Sequence, residues 1–418
     1  MPSQTPKRRQ LLKSISGGGI AAMAGLAGCV QDVGDDPSSD GDSAESELDT
    51  VPIGVLVPSS GQSAPLGQAQ ERGAELGVQF VNESDEFDFE FDPVYEDTQT
   101  DPPTGRSRAE RVVENDGVEY IVGGLESSVS LAIAEYVSQR DAIYMSGAAT
   151  LDLTGEDCNQ NTFRYETNAA QQMAGLTDFA ARELGTNWWL HSTDEAYGVS
   201  AFAEIERRVD AQGLDVDIVG RTMPDFGTED YGPQISQISN SEADVLVIPE
   251  TGGDLINFMN QAANAGLTEE IEIIGTAIFA DVSREALGQT AVGTYSSTLY
   301  DHQLETGDNP QFVDAYREEF DAPPGNFARV GYELVRTTAR GIQAAGTSDP
   351  EAFRETLPGL EMQTVLGETS YRACDHQAVN PVWTGRVVED NGGTEMELLD
   401  RIEGEDAIRP CEETGCTL

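Results

Sequence analysis

Lysine is almost missing from this chain: Lys7 and Lys13 are the only two in 418 residues. A phosphate loop of the Gly-x-x-x-x-Gly-Lys type is therefore excluded beyond residue 13. Nucleic acid is excluded as a partner, because no basic stripe exists to displace its counterions. Histidine is scarce as well, with His191, His302 and His376 in separate segments and no Gly-x-Ser-x-Gly elbow anywhere. The chain is thus not expected to be an enzyme, and His376, within Asp375-His376-Gln377, reads as a hinge or packing residue. The five cysteines contain no paired Cys-x-x-Cys spacing, so neither a metal nor a cofactor is expected. An unbroken apolar run of the ~20 residues that cross a bilayer is also missing.

What is abundant is acid. Asp and Glu number 75 against 24 Lys and Arg, for a formal charge of -51. Such a body repels itself in dilute buffer, whereas in molar salt the Debye length falls to ~3 Å and the repulsion is screened. We expect a protein of brine, on the outer face of a halophilic archaeon.

Both lysines lie in Lys7–Cys29, "KRRQLLKSISGGGIAAMAGLAGC". Its basic start, short apolar middle and small residues have the layout of an export signal. Arg8-Arg9 before Leu11-Leu12 resembles a twin-arginine address. Leu26-Ala27-Gly28-Cys29 resembles a lipobox, which would make Cys29 the acylated N-terminus. Residues 30–50 are acidic, rich in Ser and Gly and free of aromatics, the composition of a disordered tether with a reach of roughly 25 Å.

From residue 51 apolar runs alternate with amphipathic stretches, as in βα units on parallel sheets. One series of strands is expected at Val51–Val57, Phe87–Tyr95, Tyr120–Val122 and Ala142–Ser146. A second is expected at Asn187–His191, Val216–Arg221, Val245–Ile248 and Ile271–Gly275. Helices at Pro310–Phe320 and Phe327–Ala345 would complete the first lobe, so the chain leaves that lobe and returns. The expected fold class is α/β in two lobes, with residues 51–167 plus 301–378 in lobe 1 and 168–300 plus 379–418 in lobe 2.

Ile53–Asn82, "IGVLVPSSGQSAPLGQAQERGAELGVQFVN", and Tyr120–Thr154, "YIVGGLESSVSLAIAEYVSQRDAIYMSGAATLDLT", carry a resemblance. They resemble the type I solute-binding proteins of ABC importers, in the leucine-isoleucine-valine group. "FRYETNAAQQMAGLTDF", "AYGVSAF" and "RACDHQAVNPVWTG" are similar to later family segments. The resemblance implies a type I periplasmic-binding-protein fold, with Rossmann-like lobes joined by a three-crossover hinge. It also implies an extracellular receptor, monomeric and anchored through Cys29, that hands a small solute to ABC permease subunits. A branched-chain or other amino acid is the first candidate, with amides, urea-like solutes and small carboxylates beside it. A sensing module and a secreted hydrolase are the alternatives.

By matching, Ser127, Ala148, Ala149 and Thr150 fall on ligand-contact positions. Ser127 opens a helix, where hydroxyl and free N–H groups suit a carboxylate, and Thr150 follows a strand end. Tyr197 matches the family's lid tyrosine, and Leu66 a position aromatic in the leucine-binding archetype. The family glutamate that pairs with the ligand ammonium group has no counterpart in Ile274–Phe279, whose Phe279 is counted as a contact. Glu250 or Asp281 would substitute. With Cys29 acylated, four cysteines allow three pairings, and a short Cys411–Cys416 loop would leave Cys158 to Cys374.

Overall fold

A computed structural model describes residues 50–418. The export signal, Cys29 and all of the acidic tether up to residue 49 lie outside the described residues. No helix among the described residues is long and apolar enough to cross a membrane.

Five strands open the body: β1 (Thr50–Val57), β2 (Glu90–Asp97), β3 (Tyr120–Gly123), β4 (Ile143–Ser146) and β5 (Thr162–Arg164). They pair in parallel in the order β2-β1-β3-β4-β5. Between them run α1 (Ala64–Glu83), α2 (Pro102–Asn115) and α3 (Ser127–Val137). Side chains alternate between the faces of a strand, and this divides the apolar residues between two cores. Val55, Val57, Tyr120, Val122, Ile143 and Met145 pack with α1 on one face. Leu56, Ile121 and Tyr144 pack with Ala109 of α2 and Ile133 of α3 on the other. Burial on both faces is what makes these strands read as continuous apolar runs.

The second sheet holds β6 (Asn187–His191), β7 (Asp217–Thr222), β8 (Val245–Ile248), β9 (Glu272–Gly275) and β10 (Tyr295–Thr298). Its helices are α4 (Ala169–Glu183), α5 (Ala196–Gln212), α6 (Gly232–Ser239), α7 (Gly252–Asn264) and α8 (Asp281–Leu287). Trp188, Leu190, Val245 and Val247 face α4 and α5, while Trp189, Leu246 and Ile248 face α6 and α7. The chain then returns to the first half as α9 (Asn309–Phe320), α10 (Asn326–Ala345) and α11 (Pro350–Thr356), with the small hairpin β11 (Met362–Thr364) and β12 (Gly367–Thr369). A Cβ at Gly73 would stand 1.8 Å from the Ala328 carbonyl oxygen, and one at Gly331 would stand 2.0 Å from that of Gln70. Glycine at both lets α1 and α10 pack backbone to backbone. Last, β13 (Val382–Asp390) and β14 (Gly393–Ile402) add an antiparallel edge to the second sheet, and α12 (Gly404–Ala407) follows. The full order there is β14-β13-β10-β9-β8-β6-β7.

The chain therefore passes three times between its halves: after β5, after β10 and before β13. Hydrogen bonds sew the first passage to the third. Gln377 Nε2 donates to the Glu166 carbonyl at 2.9 Å, and Asn380 Nδ2 to that of Tyr165 at 2.6 Å. His376 stacks on Phe163 with ring centres 3.9 Å apart. Burial pushes its pKa down to about 4, the behaviour of a neutral packing residue.

The disulfides correct the expected pairing. Cys158 is bonded to Cys416 and Cys374 to Cys411, in place of Cys158–Cys374 and Cys411–Cys416. The tail is laid across the body and not folded on itself. Arg372 Nη1 donates to the Arg409 carbonyl at 2.7 Å, which sets Cys411 beside Cys374. Arg409 Nε donates to Glu204 of α5 at 2.7 Å, and Arg207 holds Glu413 at 3.1 Å. Cys416 is thereby carried on to the loop holding Cys158.

Candidate functional site

A cavity of about 60 Å³ lies between the two halves. Most of its lining follows the C-terminal end of a strand: Glu126 and Ser127 after β3, Ala149 after β4, Glu166 after β5. From the other half come Thr193, Glu195 and Tyr197 after β6, Glu250 after β8, and Thr276 and Phe279 after β9. Strand ends are where open α/β sheets bind ligands, because loops and helix N-termini converge there. Phe226, Leu299, Asn326 and Phe327 add to the walls.

Among the described residues, polar contacts at three places close the halves on one another. Glu195 caps α5 by accepting from Tyr197 N at 2.8 Å, and its other oxygen crosses the cleft to accept from Ser128 N at 2.8 Å and from the Ser128 hydroxyl. Thr150 Oγ1 lies 2.8 Å from Ser200 Oγ of α5. Gln62 Nε2 donates to Asp254 of α7 at 2.5 Å.

Of the residues expected from sequence, Ser127, Ala149, Tyr197, Glu250 and Phe279 line this one cavity. Ser127 Oγ accepts from Thr150 N at 3.2 Å, while the Tyr197 hydroxyl sits 2.7 Å from Gln172 Oε1 and 2.8 Å from Thr276 Oγ1. Ala148, Thr150 and Leu66 are buried outside the lining, and Asp281 pairs with Arg284. Sequence reasoning missed Glu126, Glu166 and Glu195. The matched ligand-contact positions began at Ser127, one residue past Glu126, although Glu126 lies within the segment that carries the resemblance.

Among the described residues, the lining carries four glutamates and no arginine or histidine. Glu166 is neutralised by Arg329, with N···O at 3.0 Å, and by Asn326 Nδ2 at 2.9 Å. Glu195 is held by the N–H groups described above. Glu250 accepts from Thr193 N at 2.5 Å and Thr251 N at 2.9 Å, and has no cation beside it among the described residues. Burial pushes its pKa up to about 8, with Asp254 adding to the rise and the N–H groups opposing it. Glu126 is 9% exposed, and neither of its carboxylate oxygens has a hydrogen-bond partner. Burial pushes it up to about 7, against the nearby Ser63 hydroxyl and with help from Glu195.

Two parallel-sheet lobes, three passages and a cleft at the strand ends coincide with a family whose members are built this way: residues 50–394 match the model for periplasmic binding proteins. The chain belongs to that family. The leucine-, isoleucine-, valine-, threonine- and alanine-binding protein of Pseudomonas aeruginosa is 24% identical to this binding protein over 333 residues, covering 77% of this chain and 86% of the relative. An amino acid ABC transporter substrate-binding protein of Pseudomonas fluorescens superposes with a TM-score of 0.78 at 21% identity, covering 89% of this chain and all of the other. A Rhodopseudomonas palustris solute binding protein of an ABC transporter, in complex with 3,4-dihydroxy benzoic acid, also gives 0.78, at 22% identity over 85% of this chain and 98% of the other. The two solved structures share the two-lobe α/β fold of this chain, and its membership of the periplasmic binding proteins rests on the match over residues 50–394.

Proposed function

We propose that this binding protein is the extracellular receptor of an ABC importer, closing its lobes on one small polar solute and presenting the closed form to a permease. The observation that carries the reading is the cleft itself. Loops from the strand ends of both sheets enclose a cavity, and the contacts of Glu195, Thr150 and Gln62 reach across the cleft from one half to the other. A solute that favours the shut form shifts the equilibrium by its difference in affinity between the two states. In the same reading, twin-arginine export and acylation of Cys29 hold a monomeric body off the membrane in brine, as the arginine pair, the lipobox and the acidic composition support.

The test is a melting-temperature screen of the full chain in molar salt against neutral, zwitterionic, anionic and cationic small solutes. Small-angle scattering with and without each solute accompanies it. At least one class should raise Tm and compact the protein. If every class leaves both unchanged, the receptor reading is wrong.

A further inference from the structure

The acidic bias of this chain belongs on its surface, where water and salt solvate each carboxylate. Burying one costs free energy unless a cation or a full set of donors meets it. One carboxyl group in the cavity breaks that rule, and a second meets it with neutral donors alone. Glu126 contributes the N-cap residue of α3 but does not cap it, and both its oxygens are buried without a partner. Glu250, 3% exposed, faces the cavity from the other lobe with backbone N–H groups as its donors and no positive charge beside it. Meanwhile the first turn of α3, where a solute carboxylate would seat, already holds a carboxylate from the protein itself. Glu195 accepts from Ser128 N and from the Ser128 hydroxyl, so a second anion placed beside Ser127 would meet it at close range.

We infer that the solute is a small organic cation, an amine with no carboxylate of its own, held between Glu126 of one lobe and Glu250 of the other. This rests on the receptor reading and narrows it. A free amino acid would bring its carboxylate up against that of Glu195 at the start of α3, where among the described residues the one cation beside the lining, Arg329, is already paired with Glu166. An aromatic or aliphatic carboxylate would meet the same repulsion without compensation. An amine supplies the donors Glu126 lacks and the charge both carboxyls lack. Leu125, Phe226, Phe279, Leu299 and Phe327 cover its hydrocarbon part. Molar salt does not remove such an interaction, since partly buried pairs are screened far less than exposed ones.

Binding also moves protons. Without solute, burial holds both carboxyls protonated to higher pH than usual: Glu126 faces Ser63 and Glu195, and Glu250 faces Asp254, Tyr197, Tyr231 and the Thr193 and Thr251 amides. An arriving ammonium group favours the ionised forms, so near neutral pH the complex releases protons.

The experiment is isothermal titration of the full chain in molar salt with butylamine, putrescine, leucine and benzoate, each in two buffers of different ionisation enthalpy. We expect the amines to bind, putrescine more tightly than butylamine, with an apparent enthalpy that changes with buffer. Glu126→Gln and, separately, Glu250→Gln should each weaken putrescine binding by at least about tenfold, as loss of a hydrogen bond to a charged group does. Should one variant fail to fold, the other and the wild-type ranking still decide. Leucine or benzoate bound more tightly than both amines would overturn the cation inference and leave the receptor standing. Amine binding with no buffer dependence and no change in either variant would overturn it too. Silence from all four solutes would reject the cation, and the wider solute screen then judges the receptor.

Discussion

Glu126→Gln should make the solute-free protein more stable, and by an amount that depends on pH. The ordinary glutamate value is 4.5 and burial raises Glu126 to about 7. A raised carboxyl binds its proton more tightly folded than unfolded, so its contribution is fully present below pH ~4.5 and is lost as pH climbs through ~7. At ~1.4 kcal/mol per pKa unit, the ionised side chain costs the folded state roughly 3 kcal/mol above neutrality. Glutamine carries no charge at any pH, fits the same volume, and keeps an amide oxygen toward the nearby Ser63 hydroxyl. With ~2 cal/mol/K of unfolding entropy per residue over the body, the gain is roughly 4 °C in Tm at high pH and near zero at pH ~4.5. Glu250 titrates in both proteins and cancels in the difference. Scanning calorimetry of wild type and variant in molar salt, from mildly acidic to mildly alkaline pH, measures this directly. A difference that stays flat with pH, or a variant less stable throughout, would refute the assignment of Glu126 as a buried, unmatched acid. Stability gained where solute affinity is lost is the trade expected of a binding group.

Glu195→Ala leaves Ser128 N and the Ser128 hydroxyl without their acceptor, so the closed form should lose about 1–3 kcal/mol; scattering should show a more open solute-free protein, and an unchanged profile would count against the cross-cleft contact. Unreduced peptide mapping should link Cys158 to Cys416 and Cys374 to Cys411. The longer loop, 258 residues against 37, should make the Cys158→Ser, Cys416→Ser pair the more destabilised, by about 5.5 against about 4 kcal/mol in chain-entropy terms; the reverse order by denaturant titration would contradict this. Dilution to ~0.1 M salt lengthens the Debye length to ~10 Å and should lower Tm by unscreening the carboxylates, and an unaltered melting curve there would remove the case for a brine protein.

Much of the fold was legible because a strand buried on both faces is an uninterrupted apolar run. Tyr120–Gly123 and Val245–Ile248 stand out in the sequence for that reason. The strand expected at Phe87 begins instead at Glu90, since Phe87 and Phe89 enter the core from a loop. β5, three residues long, is too short to show a period. The hairpin of β13 and β14 faces solvent along much of its length, so its apolar residues are sparse and charges interrupt them. At the site, Tyr197 and Glu250 were legible from their neighbours and their place after a strand. Glu126, Glu166 and Glu195 were not, because among 75 acidic residues a single carboxylate carries no signal. Burial separates the few that matter, and burial comes from the pairing of lobes that meet only through the tertiary fold. The cysteine pairing was hidden likewise: it depends on Arg372 and Arg409, whose contact gives no trace in cysteine spacing.

The tail that Arg409 and the two disulfides pin down orders the birth of the protein. Cys158 emerges from the ribosome long before its mate, and its native bond cannot form until 258 further residues have been made. Cys374 and Cys411 appear in between, each a wrong companion, and any bond made to them must be exchanged before the native pair can close.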